Sequence, residues 1–303
     1  MISLPEAFAT RIQSTFGQAG STWLEGLPSL LKQLAGRWSL TLDQPFTDLS
    51  YNYVTRARMP DGMPVVLKVG VPNPELTSEI AALQHFNGEG AVKLFAAIPE
   101  DGALLLEKLE PGEPVLDLDD DRSATSIAAG LIRQLHRPPP ENGPFPSITD
   151  WGRGLDRLRA TFNGGSGPFP ARLVDRAEQL IAELVISQGE PVLLHADLHH
   201  WNVLSAGRSE WLAIDPKGLI GEREYEAGAW LRNPIPALLD WTDARQIIQH
   251  RVDQFVEILG FDRQRMFAWS LYQTVLAAWW SYEESDPDWR VMIHIAELSS
   301  LIR

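Results

Sequence analysis

Three oxygen-bearing side chains stand at defined spacings in the second half of the chain. Within "LLHADLHHWNVL", residues 193–204, Asp197 precedes Asn202 by five positions, and Asp215 ends the apolar stretch "WLAID" thirteen positions after Asn202. A hairpin of that length would return Asp215 to Asn202, and Mg²⁺ accepts such oxygen ligands together with substrate phosphates. We therefore expect Asn202 and Asp215 to bind magnesium, and Asp197 to be free to orient or deprotonate a hydroxyl group.

Phosphate chemistry also requires a cation, and an upstream lysine is the candidate. Lys68 lies near the end of the apolar segment "MPVVLKV", and Glu79 lies on the next predicted helix, where it could hold the ammonium group. A lone strand lysine usually extends to solvent, and a lone Asp or Asn is usually a turn residue. Together, the five residues favour phosphoryl transfer, in which a metal and a lysine bind the phosphates and a carboxylate acts on the attacking oxygen.

The same stretch contains three histidines, which raise the alternative of a zinc-dependent hydrolase. A zinc-binding helix would place two histidines four residues apart, with a glutamate after the first, and this H-E-x-x-H pattern does not occur in the sequence. We interpret His195 as a hydrogen-bonding anchor of the loop, and we assign no metal to His199 and His200.

Composition narrows the classes of protein that the chain can belong to. Lys and Arg number 26 against 40 Asp and Glu, a net charge of -14, which disfavours nucleic acid as a partner and favours a cationic small molecule. The chain has no cysteine, which excludes disulfide scaffolds and thiol nucleophiles. We see no signal peptide and no apolar run of the roughly 18 residues that a membrane helix needs. We therefore expect a cytoplasmic protein without membrane contact.

The first 109 residues predict a sheet that could carry Lys68. Residues 5 to 35 are predicted to be helical, because apolar residues recur at three- and four-residue spacings. The short segments "WSLTL", "YNYVTRA" and "MPVVLKV" then predict three antiparallel strands. A helix over residues 75–86 and two strands, "AVKLFAAI" and "ALLLEKL", follow.

Helical periodicity dominates after Pro111-Gly112. Five helices are predicted, in "RSATSIAAGLIRQLHR", "WGRGLDRLRATF", "ARLVDRAEQLIAELVI", "TDARQIIQHRVDQFVEIL" and "RQRMFAWSLYQTVLAAWWSYEE". The exception is one strand pair, "VLS" and "WLAID", which would lie between Asn202 and Asp215. The fold class is therefore α+β, with an antiparallel sheet first and a mostly helical second part.

Five segments carry a family resemblance: "VVLKV", "SEI", "LLLEKLEPG", "HADLHHWN" and "AIDPKG". Their order and spacing resemble the protein-kinase-like aminoglycoside phosphotransferase superfamily, and the resemblance covers nearly the whole chain. "LSYNYV", "DGMPVVLKV", "IDPKGLIGEREYEAGAWLRNP" and "LAAWWS" look most like the streptomycin 6-kinase and hydroxyurea-resistance kinase subfamily. The resemblance implies two lobes: residues 1–108 as a nucleotide-binding lobe with a helical cover, and residues 109–303 as a helical lobe with the catalytic loop and the acceptor site.

The resemblance also implies roles for individual residues. Asp197 would be the catalytic base, Asn202 and Asp215 would bind magnesium, and Lys68, paired with Glu79, would contact the α- and β-phosphates of ATP.

Three further positions follow from the same resemblance. The segment from Glu107 to Leu109 would be the interlobe hinge whose backbone meets adenine. Glu226, in "EYEAGAW", matches an acidic position that braces the catalytic loop by hydrogen bonds.

Two departures from the family pattern stand out. The usual His-Gly-Asp has Ala196 in the middle position, and the loop over residues 46–52 contains no glycine, although kinases commonly place a glycine-rich cover there. Phosphate contact in that loop would fall to backbone amides or to Ser50 and Asn52.

The predicted function is an ATP- and Mg²⁺-dependent small-molecule kinase that phosphorylates a hydroxyl of a streptomycin-like aminoglycoside or a hydroxyurea-like acceptor. Three alternatives stay open: a kinase of another cellular metabolite, a nucleotide-binding pseudokinase, which the glycine-free loop favours, and the zinc hydrolase.

Overall fold

The computed structural model describes residues 4–300 as a two-lobed α+β fold, which confirms the predicted fold class. Helix α1 spans Glu6–Arg37, with a break at Gly17, and α2 spans Pro74–Phe86. Five strands complete the N-terminal lobe: β1 (Thr41–Pro45), β2 (Asn52–Arg58), β3 (Pro64–Gly70), β4 (Leu94–Ile98) and β5 (Ala103–Glu107). The strands form one antiparallel sheet in the order β1-β2-β3-β5-β4. The helix, the three strands, the second helix and the two strands predicted from sequence are all present.

The two faces of this sheet pack against different helices, because successive strand residues point to opposite sides. Ala103 and Leu105 join the buried cluster formed with α1, whereas Leu104 and Leu106 join the cluster formed with α2. Lys68 pairs in register with Leu104, so the same alternation directs its side chain toward α2. The position of Lys68 therefore follows from the register of the sheet.

The C-terminal lobe is mostly helical. Its helices are α3 (Asp121–Leu135), α4 (Ile148–Trp151), α5 (Gly154–Thr161), α6 (Ala171–Ile186), α7 (Ala227–Arg232), α8 (Ala244–Leu259), α9 (Arg263–Glu283) and α10 (Trp289–Ser300). Its strands are β6 (Pro111–Pro114), β7 (Val192–Leu194), β8 (Val203–Ala206), β9 (Trp211–Ala213) and β10 (Leu219–Gly221). Strands β6, β8 and β9 form one small sheet, and β7 and β10 form another.

The prediction that a single strand pair interrupts these helices is wrong. The predicted pair is β8 and β9, but β6, β7 and β10 are strands as well, each of three or four residues. Segments this short cannot show the alternation that identifies a strand in sequence. Helices α7 and α10 also lie outside the five predicted helices, and the residues Ala227–Leu231 of α7 are all buried, so α7 has no polar face to reveal its period.

Buried side chains and one arginine join the two lobes. Leu76 and Leu104 of the first lobe belong to the same core cluster as Leu135 and Leu198 of the second. Arg208, in the β8–β9 turn, donates to both carboxylate oxygens of Glu107 at 2.9 and 3.0 Å. The lobe boundary after residue 108 stays a prediction. No helix within residues 4–300 is both long enough and apolar enough to cross a lipid bilayer.

Candidate active site

Lys68 is bound by two carboxylates in the cleft between the lobes. Its Nζ lies 2.7 Å from Glu79 Oε1 and 3.1 Å from Asp215 Oδ1, and its side chain is only 4% exposed. Burial alone would lower the pKa of Lys68, but the charges of Asp215 and Glu79 outweigh it and raise that pKa above its usual value. Lys68 is therefore a fixed positive charge at the cleft, as predicted from its pairing with Glu79.

The hairpin predicted from sequence brings Asp215 and Asn202 to the same part of the cleft. The amide of Ile214, beside Asp215, donates to the carbonyl of Asn202 at 2.9 Å, next to the antiparallel pairing of β8 with β9. The side-chain Nδ2 of Asn202 donates to the carbonyl of Asp197 at 3.0 Å. This bond occupies the amide nitrogen and leaves Oδ1 as the atom of Asn202 that can face a cation.

A close contact with α2 fixes the loop that follows Asp215. Ser78 Oγ donates to the carbonyl of Gly218 at 2.6 Å. Gly218 has φ +67°, and a Cβ at this position would lie 2.9 Å from Ser78 Oγ, so only glycine fits without displacement.

Asp197 lies among positive charges. The nearest guanidinium nitrogen of Arg232 is 3.6 Å from Asp197 Oδ1, and His199 Nε2 is 3.9 Å from Oδ2. Burial would raise the pKa of Asp197, but the charges of His199, Lys217 and Arg232 lower it below its ordinary value. The carboxylate is therefore ionised at neutral pH and can accept a hydrogen bond from a hydroxyl group.

Glu226 binds the turn that leads into Asp197. It is 1% exposed, and its two carboxylate oxygens accept hydrogen bonds from the amides of His195 and Ala196, both at 2.8 Å. His136, which follows α3, lies 3.3 Å from the same carboxylate. Ala196 has φ +66°, a left-handed conformation that is unfavourable for alanine, and the Glu226 hydrogen bonds hold it there.

Glu226→Gln is expected to lower the free energy of unfolding by about 2–3 kcal/mol and to reduce turnover. A glutamine can accept from only one of the two amides, and its NH₂ group would face the other buried N–H. Denaturant unfolding checks the stability. A matched Glu→Gln change at the half-exposed Glu297, which pairs with Arg172 on the surface, should cost about 0–1 kcal/mol. Equal effects of the two substitutions would contradict a bracing role for Glu226.

The three histidines have three different environments. His195 is buried, and its Nε2 lies 2.8 Å from the carbonyl of Ile214, so it anchors the loop that contains Asp197 to the residue that follows β9. His199 lies beside Asp197, whereas the ring of His200 stacks on Trp230 with centroids 4.0 Å apart. Within residues 4–300, no three His, Cys, Asp or Glu side chains are grouped in a way that could hold a metal ion.

A fully buried arginine contacts the loop that contains Asp197 and His200. Arg251 of α8 is 0% exposed and donates to the Asp121 carboxylate, to the carbonyls of Trp230 and Asn233 at 3.0 and 2.6 Å, and toward His200 Nε2 at 3.1 Å. Burial lowers the pKa of His200 to about 4, so this ring is neutral at physiological pH. The Arg251 side chain thus joins helices α3, α7 and α8 to the loop that contains Asp197 and His200.

Ser50 and Asn52, the residues predicted to contact phosphate, lie in and beside the glycine-free loop. Ser50 is exposed in the loop over residues 46–51, and Asn52 begins β2 opposite Gly70 of β3. Between them, the Tyr51 hydroxyl donates to Glu284, which follows α9 in the other lobe. The glycine-free loop is therefore tied to the C-terminal lobe by a side chain that sequence reasoning did not select.

At the predicted hinge, Leu109 and Glu107 contact other parts of the protein, whereas Lys108 is partly exposed and pairs with Glu110. Leu109 is buried in the core, and the Glu107 carboxylate accepts from Arg208 and from the amide of Lys93 at 3.1 Å. The amide of Glu107 donates to the Lys93 carbonyl at 2.9 Å. Contact of this segment with adenine stays a prediction.

Two adjoining cavities open in this region, and Asp197 lines the smaller of them. The smaller, of about 40 Å³, is lined by Asp197, Lys217, Arg232, Gln273 and Trp280, among others. The larger, of about 400 Å³, runs between α2 and α4, and its lining includes Glu75, Phe145, Asp150, Trp151 and Lys217. Trp151 and Lys217 belong to both cavities.

Sequence reasoning did not select Lys217 or Arg232, although both stand in the quoted segment "IDPKGLIGEREYEAGAWLRNP". For Lys217, the sequence did offer a signal, because this lysine stands two residues after Asp215, a candidate metal ligand. Among the aromatic residues of α9, Trp269, Tyr272 and Trp279 belong to the core, since each is at most 1% exposed, whereas Trp280 lines the smaller cavity.

Comparison with known proteins gives a consistent result. A family model described as aminoglycoside/hydroxyurea antibiotic resistance kinase matches residues 37–285. The streptomycin 6-kinase of Streptomyces glaucescens is 31% identical over 284 residues, which cover 94% of this chain and 92% of that protein. The hydroxyurea phosphotransferase of Kitasatospora aureofaciens is 32% identical over 280 residues, which cover 89% of this chain and 77% of that protein.

The fold also matches a solved structure with bound ligands. A thermostable mutant of the aminoglycoside phosphotransferase APH(4)-Ia, in ternary complex with ADP and hygromycin B, has a TM-score of 0.59 to this chain at 13% identity. The match covers 90% of this chain and 99% of that chain. At this identity the likeness establishes the two-lobed fold and nothing finer.

Proposed function

This chain belongs to the aminoglycoside/hydroxyurea antibiotic resistance kinase family, and we propose that it transfers the γ-phosphoryl group of ATP to a hydroxyl of a streptomycin-like or hydroxyurea-like small molecule, with Asp197 as the catalytic base. The observation that carries the proposal is the position of Asp197. Asp197 lines the smaller of the two cavities, and its carbonyl binds Asn202, which in turn bonds to Ile214 beside the Lys68–Asp215 pair.

On the donor side, the residues present fit a magnesium nucleotide. Asn202 and Asp215 supply hard oxygen atoms of the kind that Mg²⁺ prefers, and bound Mg²⁺ would neutralise phosphate charge during transfer. Lys68 supplies a fixed positive charge for the α- and β-phosphates, with Glu79 holding it in place. The amides of the loop over residues 46–52, with Ser50 and Asn52, are proposed to cover the phosphates.

On the acceptor side, the cavities suit a cationic molecule that presents one hydroxyl group. The larger cavity combines the carboxylates of Glu75 and Asp150 with the aromatic rings of Phe145 and Trp151, and both kinds of group attract cations. The smaller cavity has room for little more than a water-sized group beside Asp197. We therefore propose that the body of the acceptor binds in the larger cavity and that its reacting hydroxyl enters the smaller one.

The decisive experiment is an acceptor panel, with ADP release measured in the presence of ATP and Mg²⁺. Streptomycin, hydroxyurea, choline, ethanolamine and amino sugars are the acceptors. Turnover with streptomycin or hydroxyurea would support the proposed substrate class, and turnover with another panel member alone would redirect the proposal to that metabolite. Nucleotide binding without turnover on any acceptor would favour the pseudokinase alternative.

Nucleotide binding is expected to depend on Mg²⁺ through Asn202 and Asp215. Thermal unfolding with ADP should show a larger stabilisation with Mg²⁺ than without it, because the metal would join the phosphates to Asn202 and Asp215. A ligand present at 100 times its Kd adds about 2.7 kcal/mol to the free energy of unfolding. In Asn202→Ala and Asp215→Asn the Mg²⁺-dependent part of this stabilisation should disappear. Asp240→Asn, on the exposed surface, serves as the matched control and should behave like the wild type. A normal magnesium effect in both cleft variants would refute the metal assignment.

A further inference from the structure

Lys68, Arg232 and Lys217 bring positive charge to the cleft, and the first two are each held beside an aspartate. Lys68 is held between Glu79 and Asp215 and is almost completely buried. Arg232 is 11% exposed, lies 3.6 Å from Asp197 and donates to Gln273 Oε1 at 3.1 Å. Both are fixed by partners within the protein before any ligand arrives.

Lys217 differs from both in its surroundings. Its backbone amide donates to the carbonyl of His195 at 2.8 Å, which fixes its main chain to the catalytic loop. Its side chain is one-third exposed and pairs with Glu75, in the first turn of α2 in the opposite lobe. A pair whose side chains are 33% and 46% exposed contributes less to stability than a buried pair, so Lys217 can leave Glu75 at modest cost.

The position of Lys217 matches a charge that phosphoryl transfer requires. The side chain lines both cavities, and the smaller of these contains Asp197. The transferred group carries negative charge on its equatorial oxygens in the transition state, and preorganised cations beside it accelerate the reaction. With Lys68 paired to Asp215 and Arg232 beside Asp197, Lys217 is the partly exposed cation of the three and lines both cavities.

We propose that Lys217 leaves Glu75 when ATP binds and donates hydrogen bonds to the oxygens of the γ-phosphoryl group. This inference rests on the proposed function. In the reaction, the acceptor oxygen forms a bond to the γ-phosphorus, the bond from that phosphorus to the bridging oxygen breaks, ADP leaves, and the acceptor proton passes to Asp197. Lys217 forms no covalent bond and stays protonated throughout.

The test compares two nucleotides that differ in the γ-phosphate. Isothermal titration with Mg²⁺ measures the affinity of Lys217→Met for ADP and for the non-hydrolysable analogue AMP-PNP. We expect the affinity for AMP-PNP to fall about 10- to 100-fold, as for loss of a hydrogen bond to a charged group. The affinity for ADP should stay within about twofold, because ADP lacks the phosphate that Lys217 contacts. With the best acceptor, kcat should fall about 10²- to 10³-fold, with little change in the KM for the acceptor.

Two further variants sharpen the comparison. Lys217→Arg keeps the charge and should recover part of the lost AMP-PNP affinity. Glu75→Gln removes the resting partner of Lys217 and should leave AMP-PNP binding equal to or tighter than in the wild type. Lys32→Met, on the exposed face of α1, is the control for loss of a surface lysine and should change neither affinity.

The two affinities decide the outcome. Equal losses for ADP and AMP-PNP in Lys217→Met, or no loss for either, would overturn the proposal. If Lys217→Met does not fold, the AMP-PNP affinity of Glu75→Gln tests the proposal instead. Weaker binding in that variant would show that the Lys217–Glu75 pair must stay intact, which would overturn the proposal. These binding measurements need no acceptor. A failure of the acceptor panel would therefore refute the proposed function without being confused with a failure of the Lys217 assignment.

Discussion

Asp197→Asn is expected to reduce acceptor-dependent ADP release by about 10²- to 10⁴-fold, the range over which a positioned general base contributes. Asparagine has nearly the same shape as aspartate but cannot accept a proton at neutral pH. The aspartate carbonyl that binds Asn202 belongs to the backbone, so the substitution leaves that contact in place. The loss should therefore appear in kcat.

Binding and stability distinguish this effect from a structural one. ADP affinity measured by titration should change little in Asp197→Asn, and the melting temperature should stay close to that of the wild type. Any loss of stability should be small, since Arg232 and His199 approach the carboxylate no closer than 3.6 and 3.9 Å. A variant that retains full turnover would eliminate Asp197 as the base.

Arg251→Met is expected to lower the free energy of unfolding by about 3–5 kcal/mol, the usual cost of removing one partner from a buried ion pair. The substitution leaves the Asp121 carboxylate and the carbonyls of Trp230 and Asn233 without their donor. Burial would raise the pKa of Asp121, but the nearby His200 ring and the hydrogen bonds from Arg251 lower it to about 2, so it is charged and depends on Arg251.

Chemical denaturation measures this loss directly. The matched control is Arg263→Met, because Arg263 pairs with Asp253 at the surface, where both side chains are about half exposed. The control should cost about 0–1 kcal/mol. A similarly small cost for Arg251→Met would mean that packing around the methionine replaces the lost hydrogen bonds.

Local patterns were sufficient to predict the elements that carry the donor side of the site. The alternation along β3 and the helical period of α2 placed Lys68 and Glu79 on facing surfaces, and the distance from Asn202 to Asp215 matched a hairpin. These contacts depend on short stretches of chain whose geometry is regular. Sequence reasoning therefore succeeded where secondary structure alone determines proximity.

The proposed acceptor side depends on tertiary packing, and sequence patterns could not reveal it. Arg232 and Gln273 lie 41 positions apart and meet because α7 packs on α9. The Tyr51–Glu284 contact joins residues 233 positions apart. No periodicity encodes such pairs, and a lysine or arginine in a polar segment resembles an ordinary surface residue until its neighbours are known.

The hydrogen bonds that the amides of His195 and Ala196 donate to Glu226 have a consequence for ligand affinity. If this loop became ordered only on binding, each binding event would lose the conformational entropy of its backbone. That loss would weaken binding by about 1–2 kcal/mol per residue. Here that entropy is lost during folding, because alanine in a left-handed conformation is already held by a buried carboxylate. Asp197, the proposed base, would therefore meet a ligand in a rigid frame, and binding energy would be retained as affinity.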